Sequence, residues 1–261
     1  MRPPRRFWQT PVCIVLTGVC LAGCVTGGKP LSAEQRATIC QRAEFTFENA
    51  VLLKPLDIAS SNNLGAKLAP LFVQEIRATN RVTPQAASMT VFFSEGKVML
   101  SGQARAQVSY TWQTPAGASR RGVCITLNPA GLPVVWEVLN DDSRAQVIFV
   151  SQNLEAAAIR EFGGALPGRL LAVERSVTTT PNVVVARMLE DAPVAMGPIV
   201  HLDAQGEMTT VNCRCMSTQV RQLVATANYE LKPSSVVTKG NHEFQGKNCI
   251  LAERLRLPPA F

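Results

Sequence analysis

Cys213 and Cys215 stand two residues apart in "NCRCM", with Arg214 between them. On a strand this spacing sends both sulfurs to one face. With Cys249 and His242 they could supply four soft ligands to a metal such as zinc. Structural zinc sites favour two to four residues between paired cysteines, so the spacing points to structural thiols rather than to a metal. A free thiol here would become reactive only if a neighbour such as Arg214 stabilised its thiolate. A second constellation is His201 followed two residues later by Asp203. A general base and its orienting acid would suit hydrolysis, provided folding delivered a serine. The nucleophile-elbow pattern G-x-S-x-G is missing from the sequence, so His201 next to a turn fits a capping or surface role better.

Other patterns carry less. Ser94-Glu-Gly-Lys97 has the letters S-x-x-K but falls where a hairpin turn is expected between "TVFF" and "KVML". Glu137, Asp141 and Asp142 group near a strand end, and "NDDS" reads as turn chemistry. The chain contains neither a glycine-rich phosphate loop nor a calcium loop. Tyr110, Trp112 and Trp136 could form a glycan platform, but aromatics at period two on a sheet usually belong to a core. No cofactor is expected.

The elements that would position these residues read as α+β: an antiparallel β-meander with packed helices, as one domain or as two small related subdomains. "QVSYTWQ" alternates, with Val108, Tyr110 and Trp112 on one face. "VCITL", "VVWEVL" and "QVIFV" follow after short turns, giving five or six meandering strands. Ser151 caps a helix carrying Leu154, Ala157, Ala158 and Phe162 on one side, stopped by Gly163-Gly164. Further helices are expected from about Ala33, over Pro70 to Ala78, and from Thr218 to Ala227, where Val220, Leu223, Val224 and Ala227 keep helical spacing. "FTFENAVLLKPLD" suits a strand, as do "RLLAVERSV", "NVVVARML", "PIVHL" and "MTTVNCRCM". "GGALPGR" at 163–169 is the candidate boundary between the two halves.

Arg2, Arg5 and Arg6 precede an apolar run from Val12 to Ala22 that ends in Leu21-Ala22-Gly23-Cys24. The run is of signal-peptide length and too short to span a bilayer about 30 Å thick. This N-terminus resembles the lipobox of bacterial lipoproteins. The resemblance implies cleavage after Gly23 and acylation of Cys24, so that residues 1–23 are a signal peptide. Residues 24–34 would be a lipidated tether, 35–164 an α+β domain, and 165–261 a second subdomain or a continuation of the first. Val25 in place of Asp leans toward the outer membrane, facing the periplasm. Two or three acyl chains would hold the protein there stably.

Losing residues 1–23 removes three arginines and no acid, so the net charge falls from +7 to +4. That modest, dispersed excess speaks against nucleic-acid binding. Cys40, Cys124, Cys213, Cys215 and Cys249 would remain in an oxidising compartment. Two disulfides and one thiol are expected, with Cys249 joined to Cys213 or Cys215 and Cys40 left for Cys124. The expected function is that of a non-catalytic envelope module that binds an envelope protein or a cell-wall partner. The rivals are a hydrolase using His201 and Asp203, and a thiol or metal module built on Cys213, Cys215 and Cys249.

Overall fold

Alternation of period two governs most of the chain. In 108–112 Val108, Tyr110 and Trp112 are buried while Ser109 and Thr111 are half-buried, the signature of a strand with one face on a core. The computed structural model describes residues 47–56, 63–76, 89–100, 102–113, 120–140, 146–176, 183–191, 193–212, 220–234, 251–259 and 261. The strands are β1 (Phe47–Pro55), β2 (Leu71–Glu75), β3 (Thr90–Leu100), β4 (Gln103–Gln113), β5 (Arg120–Leu127) and β6 (Pro133–Asn140). They continue as β7 (Gln146–Ser151), β8 (Val183–Leu189), β9 (Ile199–Leu202), β10 (Met208–Asn212) and β11 (Val220–Pro233). The helices are α1 (Leu64–Lys67), α2 (Gln152–Phe162) and α3 (Leu251–Arg254).

All eleven strands join one sheet in the order β10-β9-β2-β1-β11-β3-β4-β5-β6-β7-β8. The sheet curls into a nearly closed barrel, and this overturns the α+β expectation of a meander with packed helices. The antiparallel run β3 to β7 is one part of it. The remainder is built from distant pairings. β1 lies parallel to β11, β11 parallel to β3, and β2 parallel to β9. Strands from both sides of 163–169 therefore interleave in the same sheet.

Every strand sends at least one side chain into a common apolar interior. The rings of Phe72 and Trp112 meet edge-on with centroids 4.9 Å apart, and Phe72 meets Tyr229 at 5.3 Å. The segment 63–70 is pinned to this interior by two tyrosines. Tyr110 donates to the Gly65 carbonyl at 2.6 Å, and Tyr229 to that of Pro70 at 2.7 Å. Leu68 and Ala69 are fully buried in the same core. Gly65 is required for this fit, because a Cβ there would lie 2.1 Å from the Phe93 ring.

The outer face of β6, β7 and β8 is covered by α2 and by the segment from Leu251 to Phe261. Ser151 caps α2 by accepting from Leu154 N at 3.1 Å, and Gly163 ends it at φ 74°. Buried Glu155 then accepts from Ala172 N at 2.6 Å and Val173 N at 3.0 Å, docking that loop against the helix.

Several local expectations change. Residues 71–75 and 220–233 are strands where helices were expected. Ser94-Glu-Gly-Lys97 is no turn, since β3 runs unbroken from Thr90 to Leu100, opposite β4. The stretch 169–176 forms turns with an isolated bridge from Glu174 to Leu255 in place of a strand. The helix expected from Ala33 lies outside the described residues.

Candidate functional site

Polar chemistry gathers at the two places where the barrel's ladder is interrupted. The first is the seam between the end strands of the sheet, β8 and β10, which share no backbone ladder. Arg187 of β8 closes it with one nitrogen. Nη2 donates to Thr210 Oγ1 at 3.1 Å, to the Val211 carbonyl at 2.6 Å and to Asn212 Oδ1. Its guanidinium also sits 5.5 Å from the centre of the Phe149 ring, its cross-strand neighbour. Elsewhere Arg121 of β5 pairs with Glu207, just before β10, at 2.7 Å. Only closure brings those two positions together, because seven steps of the sheet order separate their strands.

His201 lies one strand in from the seam, 1 % exposed, with its ring 5.6 Å from that of Phe47. The Asn212 amide nitrogen is 3.2 Å from its Nε2. Because Asn212 Oδ1 already accepts from Arg187, its nitrogen must face the imidazole as a donor. Nε2 is then the acceptor and the proton sits on Nδ1, which has no partner. Burial, aided by the nearby Arg187 charge, lowers the His201 pKa to about 4. The ring is thus neutral near pH 7.

Asp203 is spent on its turn. Its Oδ1 accepts from Gln205 N and Glu207 N, each at 2.9 Å, and Gly206 completes the turn at φ 83°. The structure therefore gives His201 Asn212 as its hydrogen-bond partner, and Asp203 a turn to hold.

Cys124 faces the outer side of β5 and carries a free, buried thiol, in place of the disulfide to Cys40 expected from sequence. Ser109 Oγ donates to its Sγ at 3.2 Å. Burial first, and the Glu137 carboxylate opposite second, push the thiol pKa well above its ordinary value. Such a thiol is protonated and inert. Tyr110, Trp112 and Trp136 are buried in the core, so they form no platform. Cys24, Cys40, Cys213, Cys215, His242, Cys249, Asp141 and Asp142 lie outside the described residues. Among the described residues no cluster of three or more His, Cys, Asp or Glu could hold a metal.

The second interruption is on β11. From Val220 to Tyr229 it pairs with β1, but it meets β3 only from Glu230 to Pro233. The Tyr229 carbonyl accepts from Leu56 on the β1 side, whereas the Glu230 amide donates to Met89 on the β3 side. Main-chain groups alternate along a strand, so those of Thr226 and Asn228 point away from β1. Among the described residues no strand lies opposite them. Leu223 and Val224, 49 % and 46 % exposed, lie just before them, and the pairing with β1 bulges at Val224.

Neither Arg187 nor the β11 edge was singled out from sequence. A lone arginine inside the apolar run "NVVVARML" was the available sign of the first. The uncharged stretch Gln222–Asn228 was the sign of the second, hidden by its helical spacing. No protein-family model matches the chain, and neither a curated protein nor a solved structure matches it.

Proposed function

We propose that this chain is a bacterial envelope lipoprotein, held to the membrane by acyl chains on Cys24, whose barrel acts as a non-catalytic binding module. The sequence Leu21-Ala22-Gly23-Cys24 behind a basic, apolar leader supports the anchor. The observation that carries the binding role is the barrel's interior, where Phe72, Tyr110, Trp112, Phe149 and Tyr229 are buried in one apolar cluster, whereas barrels that carry small ligands keep a cavity. Recognition then falls to the outside of the wall. The polar groups that could have done chemistry hold the fold instead: His201 through Asn212, Asp203 in its turn, Cys124 in the sheet. Val25 after the acylated cysteine favours the outer membrane.

Intact-mass measurement on protein purified from a Gram-negative host tests the anchor. The expected mass is that of residues 24–261 plus diacylglyceryl and acyl groups, and Cys24→Ala should abolish both processing and membrane recovery. An unprocessed, unacylated N-terminus would sink the placement. Crosslinking in intact cells then tests the binding role, with a protein or cell-wall adduct expected on the barrel's outer surface.

A further inference from the structure

Closure of the barrel is coupled to a proton through one amide. Asn212 stands between two groups that make opposite demands on it. Arg187 can only donate, so it holds Oδ1, and this turns the Asn212 nitrogen toward His201 Nε2 at 3.2 Å. The arrangement is satisfied only while Nε2 carries no proton. Protonation would set an N–H of the ring against an N–H of the amide. Rotating the amide would give His201 its oxygen, but would present the nitrogen to Arg187, which has no lone pair to accept it. Protonated His201 and Arg187 therefore cannot both be bonded through Asn212.

The strand that carries Asn212 depends on that bond. β10 is an end strand of five residues, and its ladder to β9 is broken by a register shift between Met208 and Thr210. Thr210 lies directly opposite His201, and on the other side Arg187 holds Thr210, Val211 and Asn212. The ring itself lies against Phe47 of β1 and opposite Val73 of β2. Among the described residues the charge that acts on it is that of Arg187, a second cation. Of the acids further along these strands, Glu75 lies two residues beyond Val73, Asp203 holds its turn and Glu207 pairs with Arg121.

We propose that His201, Asn212 and Arg187 form a proton-sensitive latch, in which protonation of His201 uncouples Asn212 from Arg187 and frees β10 from the seam. This property belongs to the wall and does not depend on how the chain is anchored or what it binds.

Hydrogen exchange on the full chain in low urea reads the latch. The laddered amides of 199–202 and 208–212 should exchange at least about tenfold faster than those of β4 to β6 and with little dependence on urea, because only an end strand opens. After correction for intrinsic exchange, their opening should rise about tenfold from pH 7 to pH 5.5. That is the linkage expected of a group whose pKa of about 4 in the closed wall returns to 6.5 in the open one. His201→Gln keeps an acceptor for the Asn212 amide but takes no proton, so its opening should stay within about twofold across that range. Asn212→Asp offers an oxygen to both neighbours, so acid should tighten the seam and reverse the sign. Melting curves confirm that each variant is folded, and should His201→Gln fail to fold, the sign of the Asn212→Asp response decides. The proposal is overturned if 199–202 and 208–212 exchange only together with β4 to β6. It is equally overturned if His201→Gln keeps the acid response, or if Asn212→Asp responds as the parent does.

Discussion

The barrel wall is interrupted twice, and the two interruptions are handled in opposite ways. At the β8–β10 seam the Val211 carbonyl lies beside buried Thr210 and Asn212, and Arg187 satisfies it together with their side chains. At β11 no described strand lies opposite Thr226 and Asn228, whose side chains are exposed. The difference teaches where the fold needs chemistry: an unmatched backbone group matters when it is dry. One gap must be closed by the chain itself.

The largest effect should come from opening the closed gap. Arg187→Ala leaves the Val211 carbonyl and the Asn212 amide oxygen without their donor, and should cost about 3 kcal/mol in urea unfolding. Arg187→Lys should recover only part of it, since a shorter side chain with a compact ammonium gives up the planar guanidinium's contact with the Phe149 ring.

Next comes pH. The His201 pKa in the fold, about 4, lies below its ordinary value of 6.5, so the unfolded chain binds more protons between those values. Its contribution to stability is intact above about pH 6.5, declines as pH falls toward 4, and levels off below. The full change approaches about 3 kcal/mol. A pH series of unfolding curves on the parent and on His201→Leu should show this slope in the parent and its absence in the variant.

The open gap should be far more tolerant. Ala227→Pro, which removes an amide pointing at β1, should destabilise by about 3 kcal/mol, whereas Thr226→Pro one residue earlier should cost less than about 1 kcal/mol. Thermal melts of the pair check that alternation directly. Smallest of all, Leu223→Lys should stay within about 0.5 kcal/mol of the parent, because its side chain already lies half in water.

How far the sequence could be read follows the same division. From Thr90 to Phe162, most neighbours in the chain are neighbours in the sheet, so alternation in "QVSYTWQ", the turn at Asn128–Gly131 and the cap at Ser151 each matched an element. One error there has a local cause: Gly96 in "SEGK" imitates a turn, although it lies inside β3. The strands around β11 depend on partners far away in sequence. Phe47 pairs with Val220, and Val73 with His201, so no local pattern announces them. In β11 the apolar spacing of three and four was coincidental, since Leu223 and Val224 bury no face at all. Ser32 to Arg36 and the cysteines of 213–249 fall outside the described residues. Of the candidate site, His201 was raised as a general base and Cys124 as a disulfide partner of Cys40. Their roles were not legible, because an imidazole's tautomer depends on Asn212 and Arg187, which only closure brings near.

The position of β11 has a consequence for assembly. The last described strand lies between β1 and β3, two of the first three. During synthesis those early strands emerge long before their shared neighbour exists, and each must wait with one side unmatched. Contacts spanning more than a hundred residues carry a heavy loop-closure cost, which makes this a slow-folding topology. A chain truncated before residue 220 would lose the piece that joins the two halves of its wall, and would expose two adhesive edges in its place.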